Sequence, residues 1–383
     1  MGIFGKTTLL SWLNTYTFPM EARLKDSTVA RRVYTACIRK MLAHGTTAAA
    51  YYATRFVKST NLLADLCLEM GQRGLIGRVC MDEARMCPGY YRDETPEESV
   101  ALTRDVIEYV KKRDPTYDLI RPIITPRFAP ACSSAALRGL GDLQKETGLP
   151  VQTHISENEG EIRLVGELFP DAPHYTGVYD MHGLLTDKTI LAHAIHLSEA
   201  EAEMISDRGA KISHCPCSNS SITSGTARVR WLWEKGIDIG LGTDMAGGYS
   251  PSVLEAARQA SLVSRHVAMR IPPGDEKERT KLTVEEVLFL ATRGGAKVVG
   301  LEERVGAFTV GREFDALLIG LNEVDGDGFE VGMKGAGGWE EVGNVDVFGW
   351  ETWEEKVAKW VFGGDDRCVR SVWIQGVMVH ERR

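Results

Sequence analysis

Four short stretches of this 383-residue chain carry residues that could do hydrolytic chemistry. They are Thr153-His154-Ile155-Ser156-Glu157, Ala192-His193-Ala194, Ser213-His214-Cys215-Pro216 and Gly242-Thr243-Asp244. A hydrolytic metal ion takes nitrogen and oxygen ligands and keeps one position open for water. His154, His193 and Asp244 are the candidate ligands. Glu157 lies three residues after His154. From the loop that follows, it could reach water and substrate without binding the metal, moving a proton from the water to a ring nitrogen. His214 could donate a hydrogen bond to the water or the substrate, or merely satisfy a local carbonyl. Any one of these histidines, taken alone, reads more readily as a hydrogen-bonded residue at a strand end. It is the shared register of the set that points to a site.

That register comes from the elements before each stretch. Residues 149–152, 189–191, 210–212 and 237–241 are apolar runs of strand length. Further strands are expected at 46–53, 75–81 and 119–125, with helices between them. Thr95-Pro96-Glu97-Glu98 and Ser198-Glu199-Ala200-Glu201 are capping boxes that open two of those helices. Repeated strand–helix units imply a parallel sheet covered on both faces. The fold class is therefore α/β, a TIM-like (β/α) barrel with seven expected strands, one short of closure. Side chains at the ends of successive parallel strands would share one mouth. The barrel is expected over 1–300, with its first strand missing and with 46–53 and 237–243 as unpaired edges. A small β-layer is expected over 301–383, from strands within 305–319 and 369–379. Between them, 320–354 is rich in Gly and Glu and reads as an exposed insertion. Asp325-Gly326-Asp327-Gly328 is not read as a calcium loop, because Phe329 replaces the next ligand and the twelfth position lacks glutamate.

A net charge of −8 without a Lys/Arg run argues against a nucleic-acid or anionic-membrane surface. No apolar stretch is long enough to span a bilayer, and the first ten residues are too short and irregular for a signal peptide. Eight scattered cysteines suit reduced thiols in a cytoplasmic protein. Cys215-Pro216-Cys217 could be half a structural zinc site, but no second half exists. His44, His174, His182, His196, His266 and His380 show no strand-end pattern and are taken as structural. Thr125-Pro126-Arg127-Phe128 follows a strand. A guanidinium fork beside an aromatic ring suits a planar ring bearing a carbonyl, although an isolated arginine is more often a surface ion-pair residue.

At these residues the chain resembles the amidohydrolase superfamily, and within it the guanine deaminases. The most specific stretches are Leu10-Ser11-Trp12-Leu13, Tyr16-Thr17-Phe18-Pro19, Val79-Cys80-Met81-Asp82 and Thr125-Pro126-Arg127-Phe128. Thr153-His154-Ile155-Ser156-Glu157-Asn158, Ser213-His214-Cys215-Pro216, the run from Gly240 to Ser250 and Gly364-Asp365-Asp366-Arg367 continue it. The resemblance implies one zinc ion held by His154, His193 and Asp244. It implies Glu157 as proton shuttle, Asp244 as a helper in deprotonating water, and Arg127 and Phe128 as the grip on a purine. The implied reaction converts guanine to xanthine and ammonia, in a cytoplasmic homodimer that binds no nucleic acid or membrane. The family's first strand ends in His-x-His, which supplies two more metal ligands, and a glutamine nearby helps bind the purine. No His-x-His occurs in this sequence. The expectation is therefore a truncated chain without that strand, lacking two histidine ligands. The alternatives are an amidohydrolase acting on another heterocyclic amine and a non-catalytic remnant of the family.

Overall fold

The computed structural model describes residues 2–324 and 343–382. Seven parallel strand positions follow one another in chain order. β1 is Ala48–Tyr52. β2, Arg73–Gly77, continues as β3, Val79–Cys80. β4, Ile120–Pro122, continues as β5, Thr125–Pro126. Then come β6, Val151–Ile155, β7, Thr189–His193, β8, Lys211–His214, and β9, Ile239–Leu241. β1 pairs with β2, β2 with β4 and β3 with β5. Two bridges, Ile124 to Val151 and Phe128 to His154, carry the sheet on to β6. From there β6, β7, β8 and β9 pair in sequence. The third position is broken where Pro122 and Pro126 remove ladder donors.

Helices cover the outside, and their ends are set locally. The Thr95 and Ser133 side chains cap the helices Pro96–Arg113 and Ser134–Thr147. Capping boxes start Glu159–Leu168, Glu199–Asp207 and Val284–Phe289. Gly148 adopts a left-handed conformation at φ 63° and ends its helix. Leu137, Leu140 and Leu143 on one face of that helix are fully buried in a core that includes Val151, Ile155, Leu191 and Ile212. Each strand is thus clamped along its length, and its last residue is presented at the mouth.

Among the described residues β1 pairs only with β2, and β9 only with β8. Residues 2–8 form no strand, and a helical segment starts at Leu9. The seam between β1 and β9 is therefore unpaired, as expected. Residues from both edges, including Ala48, Tyr52, Gly240 and Leu241, line one cavity.

The C-terminal segment departs from expectation in three ways. Of 305–319 only β10, Ala316–Ile319, is a strand. Positive-φ turns at Gly306 and Gly311 occupy the rest. Most of the expected insertion, together with the Asp325–Gly328 stretch, lies outside the described residues, which omit 325–342. Its described flanks are not plain loop. They form a short parallel pair, β11 (Asn322–Glu323) with β12 (Asp346–Val347). A helix, Trp353–Gly363, then begins at a Thr352–Glu355 capping box inside the expected loop. The β-layer itself is antiparallel, with β13 (Val369–Ile374) between β10 and β14 (Val377–Glu381).

This layer is tied to the barrel through Arg73 at the start of β2. Arg73 is 1% exposed and grips Asp315 bidentately at 2.7 and 2.9 Å, while Nη2 donates to Glu313 at 2.5 Å. Arg304 also donates to Glu313. Removing one partner of such a buried pair costs about 3–5 kcal/mol, because the other charge is left uncompensated.

Burial works to raise the Glu313 pKa, but the Arg304 and Arg73 hydrogen bonds outweigh it and hold it at about 2, below its ordinary 4.5. A carboxylate with a depressed folded pKa stabilises fully above its unfolded value and loses that contribution as pH falls through the folded one. Glu313→Gln should lower the thermal midpoint near neutral pH. The deficit should shrink as the pH falls from about 4.5 towards 2. A deficit that stays constant over that range, measured by thermal melts, would contradict this role.

Candidate active site

His154 and His193 end neighbouring strands, and their rings stack with centroids 5.3 Å apart and planes 18° apart. Each ring has its Nδ1 committed elsewhere. His154 Nδ1 lies 2.6 Å from the Arg127 carbonyl oxygen, which can only accept. His193 Nδ1 lies 2.8 Å from Asn219 Oδ1. The His154 Nδ1 therefore carries the proton and its Nε2 presents a lone pair, and the Asn219 oxygen favours the same tautomer in a neutral His193. Burial, reinforced by His193, pushes the His154 pKa down to about 3, so that ring is neutral. Tyr52 packs on His154 at 4.5 Å, and Phe128 meets its edge at 6.5 Å.

Two carboxylates face His193. Its Nε2 is 3.4 Å from Glu157 Oε2 and 4.0 Å from Asp244 Oδ2. In the neutral ring this Nε2 lone pair and the two carboxylates form a set of acceptors suited to a cation, and a proton on His193 or Glu157 fills the same role when no metal is bound. Burial alone lowers the His193 pKa, but Glu157 and then Asp244 pull it above its ordinary value. Burial raises Glu157 to about 7 against the pull of His193. That carboxyl is 3% exposed and also accepts from Ser224 Oγ at 3.4 Å.

The loops after the strands hold these groups in strained backbone. Ser156, His193, Ala194 and Asp244 all have positive φ, between 45° and 74°. Each such non-glycine residue costs roughly 1–3 kcal/mol, and such strain clusters at functional sites. Glu161 closes the loop after β6, accepting from the Glu157 and Asn158 backbone N–H groups at 2.8 and 3.1 Å and from Tyr175 at 2.7 Å. Tyr179 donates to the His154 carbonyl at 2.7 Å. A Cβ at Gly247 would come within 2.4 Å of Asp244 Oδ2, so any other residue there would push the carboxylate from its place.

His214 is buried at the end of β8, and neither ring nitrogen has a hydrogen-bond partner among the described residues. It does not satisfy a local carbonyl, so that reading falls away. Burial, then His193, push its pKa down to about 3. Its neighbours Ser213 and Cys215 line the cavity, but His214 itself does not, so the expected donor role toward water or substrate finds no support in its placement. Arg127 makes the ion pair that an isolated arginine more often makes, but in the cavity wall and not on the open surface. Its two terminal nitrogens donate to Glu21 at 2.7 and 3.0 Å.

His154, Glu157, His193, Asp244, Arg127 and Phe128 all line one cavity of about 920 Å³. That is ample for a small planar ligand. Among the described residues no three His, Cys, Asp or Glu side chains stand close enough to form a metal cage. The donor chemistry nevertheless fits zinc, with two imidazoles and a carboxylate facing one cavity.

Sequence reasoning missed Glu21, Asn219, Glu161 and the tyrosines behind His154. The Asn158–Glu161 capping box spells out Glu161 and could have found it. Glu21 and Asn219 act across 106 and 26 residues with no local pattern to mark them.

Comparison with known proteins gives a consistent picture. Residues 1–379 match the amidohydrolase family. The chain is 44% identical over 378 residues to a probable guanine deaminase of Schizosaccharomyces pombe, covering 99% of this chain and 68% of that one. It is 42% identical to the guanine deaminase of Mus musculus over 374 residues, or 97% of this chain and 77% of the relative. The solved guanine deaminase from C. acetobutylicum, with guanine in its active site, superposes with a TM-score of 0.86 at 32% identity. That match covers 99% of this chain and 83% of the other.

Asn219→Ala should free His193 to rotate and to exchange tautomers. Zinc affinity should fall by about 10–100-fold, the usual penalty for losing such a support. Competition with a chromophoric chelator measures it, and an unchanged affinity would remove His193 from the ligand set.

Proposed function

The chain belongs to the amidohydrolase family and groups with its guanine deaminases, and from that premise we propose that it hydrolyses guanine to xanthine and ammonia. The observation that carries the reading is the acceptor cluster on the cavity wall. There the Glu157 carboxyl stands 3.4 Å from a His193 Nε2 whose ring is already fixed through Nδ1. Guanine occupies the active site of the C. acetobutylicum relative, which shares this fold.

In this reading His154, His193 and Asp244 hold a zinc ion, which when bound supplies a water acidic enough to ionise near neutral pH. Glu157 takes a proton from the attacking water and returns it to the purine ring nitrogen. Asp244 accepts the remaining water proton. As the C2–O bond forms and the C2–N bond breaks, that second proton goes to the departing amino group, which leaves as ammonia. Arg127 donates to the ring carbonyl, and Phe128 borders the ring. Among the described residues no helix is long and apolar enough to cross a membrane. All eight cysteines are free thiols. Both facts suit the cytoplasmic setting we propose for this reaction.

The chain, loaded with zinc, should form xanthine from guanine in an absorbance assay. Glu157→Gln should abolish turnover while leaving metal content nearly intact, because this carboxyl moves protons and does not bind metal. Loss of zinc together with activity would make Glu157 a ligand and rule it out as the proton shuttle.

Adenine places an amino group where guanine has its carbonyl, so a donor would face a donor. Such a mismatch is rejected by roughly 10⁴-fold or more. Arg127→Ala should cost on the order of 2–4 kcal/mol in kcat/KM for guanine. Comparable turnover of adenine or cytosine would move the assignment to another heterocyclic amine.

A further inference from the structure

Arg127 does not stand alone at the cavity wall. Nη1 and Nη2 donate to the two oxygens of Glu21 at 2.7 and 3.0 Å, a fork-on-fork pair. The guanidinium also lies over the Phe18 ring, 5.1 Å from its centroid. Glu21 and Phe18 both belong to the helix Phe18–Ala22, entered through a π-helical turn at Leu13–Thr17. π-turns of this kind are often found at functional sites. Phe18 is fully buried, and Arg127 is 8% exposed. Trp12, Tyr16 and Glu21 from this segment line the same cavity as Arg127.

A guanidinium carries five N–H donors, and this pair uses two, leaving three. An aromatic ring on its face and a carboxylate on its edge fix both the plane and the rotation of the group. Burial opposes the charge, and Glu21 more than offsets that, so the arginine stays a cation inside the wall. Arg127 also fixes a candidate ligand, since its carbonyl oxygen accepts from His154 Nδ1 at 2.6 Å. One residue thus joins the N-terminal helical segment, the proposed donor to the substrate carbonyl and the imidazole.

We propose that Glu21 is a positioning residue that sets purine selectivity, holding the Arg127 guanidinium so that its remaining N–H groups face the ring carbonyl of the substrate. This rests on the reading of guanine as substrate. A pair that only fastened the helix to the barrel would act differently, since its loss would weaken every purine alike.

The test uses 2-aminopurine, which has the same ring and the same amino group but no ring carbonyl. It compares kcat/KM for guanine with the inhibition constant of 2-aminopurine in the full chain and in variants. Glu21→Ala should lower kcat/KM for guanine by roughly 10–100-fold. It should change 2-aminopurine inhibition by less than about threefold. Glu21→Gln, which keeps the shape and one acceptor oxygen, should fall between, and it carries the test if the alanine variant does not fold. In an Arg127→Ala background, Glu21→Ala should add nothing further. Parallel losses for both purines, or an additive loss in the double variant, would overturn the proposal while leaving the reading of guanine as substrate standing. An unsubstituted chain that does not turn over guanine would overturn the substrate reading, and this proposal with it.

Discussion

The site depends on two hydrogen bonds made by atoms that never meet a substrate. His154 Nδ1 is held by a backbone carbonyl and His193 Nδ1 by the Asn219 side chain. With those protons committed, the Nε2 atoms of the neutral rings are left as lone-pair donors. Had either Nδ1 been free, the ring could exchange tautomers and present an N–H, which binds no metal. The geometry around His193 follows from this, because an Nε2 beside two carboxylates is an arrangement that a metal cation, or a proton in its absence, reconciles.

Burial sharpens the effect. His154 and His214 are kept neutral by loss of water, while Glu157 is raised by the same cause. Low dielectric surroundings strengthen every interaction a charge can make and penalise any charge left alone. The strained backbone at Ser156, His193, Ala194 and Asp244 is stabilised by the strands and helices behind it. The barrel wall supplies that rigidity, with Glu161, Tyr175 and Tyr179 as the braces nearest His154 and Glu157.

Much of this is legible in the order of residues. Apolar runs ending in His154, His193, His214 and Asp244 put those residues at strand ends without any tertiary information, because strand period and parallel order are local properties. Capping boxes locate several helix starts for the same reason. The split of the third strand position is foreshadowed by Pro122 and Pro126, yet the apolar run across them looks continuous. The helix Trp353–Gly363 is hidden by the Gly- and Glu-rich composition around its Thr352–Glu355 cap. The sequence leaves Arg127 open between a grip on a planar ring and an ion pair, and the structure shows the ion pair within the cavity wall. Its partner Glu21 is 106 residues away, and no periodicity announces a pair that the fold alone brings together.

Anomalous diffraction at the zinc absorption edge, from crystals of the chain loaded with the metal, tests the tautomer-fixed ligand set most directly. One strong peak should lie within bonding distance, about 2.0–2.2 Å, of His154 Nε2, His193 Nε2 and an Asp244 carboxylate oxygen, with Glu157 outside the coordination sphere. A peak elsewhere on the chain, or one coordinated through either Nδ1, would contradict it.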